Sequence, residues 1–315
     1  MIDTILNGLL PVAFVIALGW LSARLGMLKH DDAGVLATLV IRFALPFALF
    51  YAAVTTPADK IINVGLALCL TFGLMSSYLI ALALGVLGFK HNLRTATMQA
   101  LVCAYPDMAY FGAPILAAMF GPPGFLVVLV GNLVTSIVML PLTIVLTRIS
   151  DKQEAGHGWK DTLHVLNHSL MGAATNPIVF LPILGVVLSF CHVKLPTPVL
   201  SAVDIIGKAS GGTSLFALGL MLYGEKLRIN LNVLTNIGIK NFLQPALMLL
   251  GVVMLGLTRD PAHQAIITGA VPTATAAAMF ALRNKTYTAD ATSTILLSTV
   301  LGIGTEAILI GLFST

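Results

Sequence analysis

The chain has 315 residues, of which 57% are hydrophobic and only 10% charged, and its net charge is +4. Soluble domains carry about 25% charged residues, so this composition excludes an ordinary soluble domain and leaves nucleic-acid binding no domain to rest on.

Windows of roughly 20 apolar residues, the length that a ~30 Å hydrocarbon core requires, recur from one end to the other. They predict an all-α polytopic membrane protein of ten spans, at 4–22, 33–55, 62–87, 95–119, 123–147, 170–192, 198–223, 233–257, 263–283 and 290–313. The first opens MIDTILNGLLPVAFVIALGW, with an acid before its apolar run and no A-x-A site after it, so it reads as a retained helix. The second carries Arg42 four residues before Pro46. A guanidinium there offers either a carboxylate clamp or donors for carbonyls freed by the proline.

The fourth span contains VCAYPDMAYFGAPILAAMFG (102–121), where Pro106 and Asp107 interrupt an otherwise greasy run. Proline removes an N–H and clashes with the preceding turn. In lipid the freed carbonyls must find protein, water or ligand. Proline also suits the first position of a helix, so a half-helix is expected to start there, its positive end in the membrane middle and prepared for an anion. The ninth span repeats the pattern in AVPTATAAAMFALRN (270–284), where Pro272 makes the break and Thr273 and Thr275 add hydroxyls. Pro141, Pro177, Pro182 and Pro245 lie within spans as well. Any one of them reads as a tolerated kink; Pro106 and Pro272 are set apart because each has small or polar neighbours, Asp107 and Thr273 among them, at an equivalent place in its half.

Between the fifth and sixth spans, RISDKQEAGHGWKDTLHVLNHS (148–169) separates residues 1–147 from 170–315, five spans each. An odd number per half means that two copies must have opposite orientations, the inverted repeat of many carriers. LPVAFVIALG (10–19) and LPILGVVLSF (181–190) are weak traces of such a duplication. The connections after odd-numbered spans hold Arg24, Lys29, Lys90, Arg94, Arg148, Lys152, Lys160, Lys226, Arg228, Arg283 and Lys285, against Lys60, Lys194 and Arg259 after even-numbered ones. This bias puts the odd connections in the cytoplasm and both termini outside it.

Charges at membrane depth are costly and therefore candidates for function. Asp204 and Lys208, one turn apart in the seventh span, are expected to neutralise each other. The adjacent Gly211 and Gly212 suggest an unwound segment there. Lys240 in the eighth span reads as a snorkelling side chain, whereas Glu306 in the tenth is a second candidate for proton handling after Asp107. Asn132 and Gln244 are polar groups within reach of a cavity or a neighbouring helix. His157, His164 and His168 read as solvated linker residues. Cys69, Cys103 and Cys191 show no metal spacing, and neither a hydrolase nor a metalloprotease motif occurs. No enzyme activity, cofactor or metal is expected.

The residues ALPFALF, YPDMAYFGAPIL, VPTATAAAMFALRNKTY and ATSTILLSTVLG, taken with the order of ten spans, resemble the auxin efflux carrier family, particularly bacterial members related to malonate carriers. The resemblance implies a transport domain and a scaffold domain built from inverted five-helix repeats, with the fourth and ninth helices crossing at Pro106 and Pro272. It also implies a bacterial inner-membrane secondary carrier for small organic anions, with the substrate beside Pro106, Asp107, Pro272 and Thr273. Lipid is its surroundings, and a homodimer through the scaffold is the partner arrangement seen in similar proteins. Asp107 departs from the neutral polar residue, often asparagine, that many members place there. An ionised aspartate would itself occupy the positive helix end and repel an anion. Three outcomes reconcile this: Asp107 is protonated when substrate binds, it pairs with a cation or a basic side chain, or the substrate is not an anion; the first, a carrier coupled to protons through Asp107, is the expectation. Malonate or a similar dicarboxylate is the first substrate expected. An auxin-like aromatic acid carrier, a channel and a ligand sensor are the alternatives.

Overall fold

A computed structural model describes residues 2–29, 32–56, 63–155, 175–224 and 227–313. Most of the linker, including His157, His164 and His168, lies outside these residues.

Among the described residues the fold is entirely helical, without a strand. In chain order the helices are α1 (Ile2–Arg24), α2 (Asp32–Thr55), α3 (Val64–Gly88), α4 (Leu93–Ala104), α5 (Met108–Phe120), α6 (122–155), α7 (Pro177–Phe190), α8 (Thr197–Leu222), α9 (Leu231–Leu255), α10 (Arg259–Ala270), α11 (Thr275–Arg283) and α12 (Thr288–Phe313). Six of them, α2, α3, α6, α8, α9 and α12, are long and apolar enough to cross a bilayer. Shorter apolar helices occur at Ala13–Arg24, Met108–Phe120 and Pro177–Phe190. Asparagines start several of the runs. The side chains of Asn63, Asn92, Asn176 and Asn230 accept from the N–H groups of Leu66, Thr95, Ile178 and Val233, and so satisfy donors that the first turn leaves free.

Four prolines share one local arrangement, whereas Pro11 and Pro182 sit in plain α-helix. π-Helical turns at Val40–Ala44, Met108–Gly112, Thr135–Met139 and Gly238–Leu243 each end two residues before a proline: Pro46, Pro114, Pro141 and Pro245. The carbonyl four residues before a proline has lost its donor and meets the ring; one extra residue in that turn opens the space. Pro46, Pro141 and Pro245 thus sit in continuous helices, while at Pro106 and Pro272 the helix stops altogether.

Small residues set the packing, as expected where van der Waals fit rather than water expulsion holds helices together. α1 meets α8 backbone to backbone, so that a Cβ on Gly219 would lie 2.0 Å from the Ile16 carbonyl oxygen, and one on Gly19 would lie 2.1 Å from that of Phe216. Gly185 brings α7 against Phe50 and Ala53 of α2, and Gly207 brings α8 against Ala48. α1, α2, α7 and α8 therefore form one tightly packed group. A second group joins α3, α4, α9 and α10, with Gly73 and Gly251 at the α3–α9 contact. α8 is an unbroken helix through Gly211 and Gly212, which corrects the expected unwinding: in an apolar setting the intact backbone ladder keeps its carbonyls paired. Asp204 and Lys208 form the expected ion pair on its outer face.

Candidate functional site: a crossing of two broken helices

Between α4 and α5 the chain is extended at Tyr105–Pro106–Asp107, and between α10 and α11 at 271–274. The two breaks run antiparallel and bond to each other. The Asp107 N–H donates to the Pro272 carbonyl at 2.8 Å, the Ala274 N–H donates to the Tyr105 carbonyl at 2.9 Å, and Pro106 pairs with Thr273. Groups orphaned by the breaks find partners on other elements. The Val102 carbonyl, four before Pro106, accepts from the Thr273 hydroxyl at 3.0 Å, and the Ala104 carbonyl accepts from the Gln244 amide at 3.0 Å. The Thr273 N–H donates to the Ser298 hydroxyl of α12 at 3.1 Å. The fold thus brings Pro106, Asp107, Pro272 and Thr273 together.

Thr273 is fully buried, so Thr273→Val is expected to leave the Val102 carbonyl unpaired at a cost of about 1–3 kcal/mol. The thermal unfolding temperature in detergent should fall, and Thr273→Ser should restore it. Equal stability of the valine and serine variants would refute the assigned bond.

The two half-helices begin differently. Asp107 caps α5: its Oδ1 accepts from the Tyr110 N–H at 3.1 Å, and its side chain is buried. The positive end of α5 is thereby occupied by the protein's own carboxyl. α11 starts at Ala274 with no side-chain cap, and Thr275 in its first turn lies on the wall of a cavity of about 680 Å³. That cavity runs from Tyr110 and Thr275 at the crossing toward Ala33, Leu222, Leu282 and Thr288 at helix ends. Among the described residues its wall is mostly apolar, with hydroxyls from Tyr110, Thr275, Thr288 and Thr292 and no charged side chain.

The remaining candidates are spread out. Asn132 on α6 is half-buried, and its amide nitrogen has no partner. It lies one residue from Gly131, which packs against Met108 at the start of α5. Arg42 is exposed in the first π turn of α2 and is not on the cavity wall. Glu306 is fully buried behind the crossing.

Lys240 does not snorkel. It is fully buried in the π turn Gly238–Leu243, where its ammonium donates to the Gln244 side chain. Ten residues into α9, its stem is too deep to reach a membrane surface, and the signal available in the sequence was that depth. A polar network that the sequence reading did not single out surrounds Asn236. Its carbonyl accepts from Gln99 at 3.2 Å, and its amide donates to Tyr287 at 3.0 Å and Thr294 at 2.9 Å. These groups tie α4, α9 and α12 together just beside the crossing.

Comparison with known proteins places the chain among membrane transport proteins. Residues 4–310 match the model of a family described as membrane transport protein. "Uncharacterized transporter YfdV" of Escherichia coli (strain K12) is 26% identical over 313 residues, covering 96% of this chain and 95% of the relative. The Rhizobium meliloti (strain 1021) protein named "Putative malonate transporter" is 26% identical over 306 residues, covering 94% and 92%. "Auxin efflux carrier component 5" of Arabidopsis thaliana is 30% identical over 209 residues, 57% of this chain and 60% of that one. With its family model matched almost end to end, the chain belongs to the auxin efflux carrier family of membrane transport proteins.

Proposed function

We propose that this protein is a secondary carrier that moves a small organic anion, a carboxylate, across the cytoplasmic membrane by alternating access. Its ten spans form two inverted five-helix repeats, 1–147 and 170–315, with the linker 148–169 in the cytoplasm and both termini outside. The partition of close packing supports this reading, because α1, α2, α7 and α8 are the first two spans of each half. They would be the scaffold against which the crossing moves. The cavity touches the ends of helices whose connections carry the basic residues, which supports a cytoplasm-facing state.

The observation that carries the function is the uncapped start of α11 on the cavity wall. Its leading N–H groups and the Thr275 hydroxyl supply donors for one carboxylate, and the apolar wall suits the rest of the substrate. Asp107 closes the corresponding end of α5, so the carrier is coupled to protons rather than built with two open anion sites. A single open end and a mostly apolar wall favour a monocarboxylate, aromatic acids included. Malonate is the second reading, favoured by the name of the Rhizobium relative.

Counterflow into proteoliposomes preloaded with unlabelled substrate tests this without assuming an energy source. Radiolabelled malonate and a radiolabelled aromatic monocarboxylate would be compared. Saturable accumulation of either establishes a carboxylate carrier and selects the substrate class; accumulation of neither, in vesicles containing folded protein, overturns the carboxylate reading. Thr275→Val is expected to raise the half-saturating concentration about tenfold with the maximal rate retained, as loss of one hydrogen bond to a charged group implies. An unchanged value would remove Thr275 from the site.

A further inference from the structure

Behind the crossing lies a group of charges that the substrate cavity does not touch. Ser298, Gly302 and Glu306 follow one another at four-residue spacing along one face of α12. Ser298 accepts from the Thr273 N–H, and Gly302 packs against the Pro272 ring. Glu306 comes one turn further on. It is fully buried, and neither carboxyl oxygen has a hydrogen-bond partner.

α12 packs against α1, α4, α9, α10 and α11. Among the described side chains of these elements, the charge that reaches Glu306 is that of Lys240 on α9. Arg24 of α1, Arg259 and Asp260 of α10 and Arg283 of α11 are exposed at helix ends, while His263 of α10 and Arg94 of α4 are only partly buried. Lys240 in turn lies within electrostatic range of Cys103 and Asp107 on the broken fourth span. It also donates to Gln244, whose amide holds the Ala104 carbonyl at the break. Among the described residues, the interior of the crossing therefore contains two buried carboxyl groups and one buried ammonium.

Such a set does not balance. A carboxylate without hydrogen bonds in a dry interior costs several kcal/mol, and an ammonium can offset one negative charge, not two. One more positive charge is needed. Among the described residues no group of three or more His, Cys, Asp or Glu side chains gathers to hold a metal ion, and a proton supplies the charge with no further ligands.

We propose that the Asp107–Lys240–Glu306 cluster holds one exchangeable proton, carried on Glu306, and that Lys240 links this proton to Asp107 at the substrate crossing. Binding converts the Glu306 carboxylate to the acid, and release returns the proton to water when the cluster opens. The charge count needs no substrate; only its use as a driving step rests on the carrier reading above.

Infrared spectroscopy of the full-length protein in liposomes of ether-linked lipids, which carry no ester carbonyl, and without substrate, tests the proposal through the carbonyl stretch of protonated carboxyl groups. The native protein should show one such band in neutral buffer, slow to shift in heavy water and lost in alkali. Glu306→Gln should abolish it, because Asp107 and Lys240 then balance. Lys240→Met should instead double its intensity, since both carboxyls then need a proton. A native spectrum without the band overturns the proposal by itself, even if the variants fail to fold. A band that survives Glu306→Gln, or one unchanged by Lys240→Met, also overturns it. Failed malonate counterflow with these spectral results intact would reject the substrate while leaving the proton site in place.

Discussion

Replacing Asp107 by asparagine is expected to yield folded protein that still exchanges substrate but no longer responds to a pH gradient. Asparagine caps a helix about as well as aspartate, so the bond to the Tyr110 N–H and the start of α5 should survive. One negative charge disappears, and Lys240 and Glu306 then balance without a proton. A carrier that moves one proton with its substrate can accumulate that substrate about tenfold per unit of pH gradient, the equivalent of about 1.36 kcal/mol. In Asp107→Asn the accumulation ratio should fall to near one while counterflow persists. Asp107→Ala should also lose the cap, about 1 kcal/mol of stability, and expression should suffer with it. The comparison to make is accumulation with and without an imposed gradient; native-like pH dependence in the asparagine variant would sink proton coupling through this residue.

Gly219→Val is expected to prevent assembly of the α1–α8 pair. The Cβ would stand 2.0 Å from the Ile16 carbonyl oxygen, 2.8 Å from the Trp20 nitrogen and 3.0 Å from the Gly19 Cα. All three are backbone atoms of α1, so no side chain can swing aside. Overpacking a core with room to adjust already costs about 1–3 kcal/mol, and this contact has none. Gly212 on the same helix is the control: a Cβ there meets nothing within 4 Å, and Gly212→Ala should gain up to about 1 kcal/mol from helix propensity. Size-exclusion profiles and thermal melts in detergent would separate the two. A monodisperse, native-like Gly219→Val protein would refute the close approach.

The breaks at Pro106 and Pro272 were legible because each proline lies in a long apolar run with small or polar neighbours, a pattern that only an internal partner can satisfy. Sequence spacing does not say which partner. That the Thr273 hydroxyl serves the Val102 carbonyl, and Gln244 that of Ala104, depends on how distant helices meet. The direction of Arg42 and Lys240 was hidden for a related reason. Both sit in π turns, where one extra residue rotates the helix face by a step that a regular 3.6-residue period does not contain. Lys240 consequently points into the protein, and Arg42 away from the cavity. The role of Asp107 was legible in part: its place at the positive end of a half-helix was visible, but not that the Tyr110 N–H is the donor it takes.

The antiparallel rung between the two breaks also constrains how the chain is made. The Val102, Ala104 and Tyr105 carbonyls are synthesised long before Thr273, Gln244 and Ala274, the groups that pair with them. At about 5–20 residues per second, the first broken helix waits on the order of ten to thirty seconds for its mate. Throughout that interval its open backbone must be kept in contact with water or with the insertion machinery, and the nascent protein is vulnerable to proteolysis until the second half arrives.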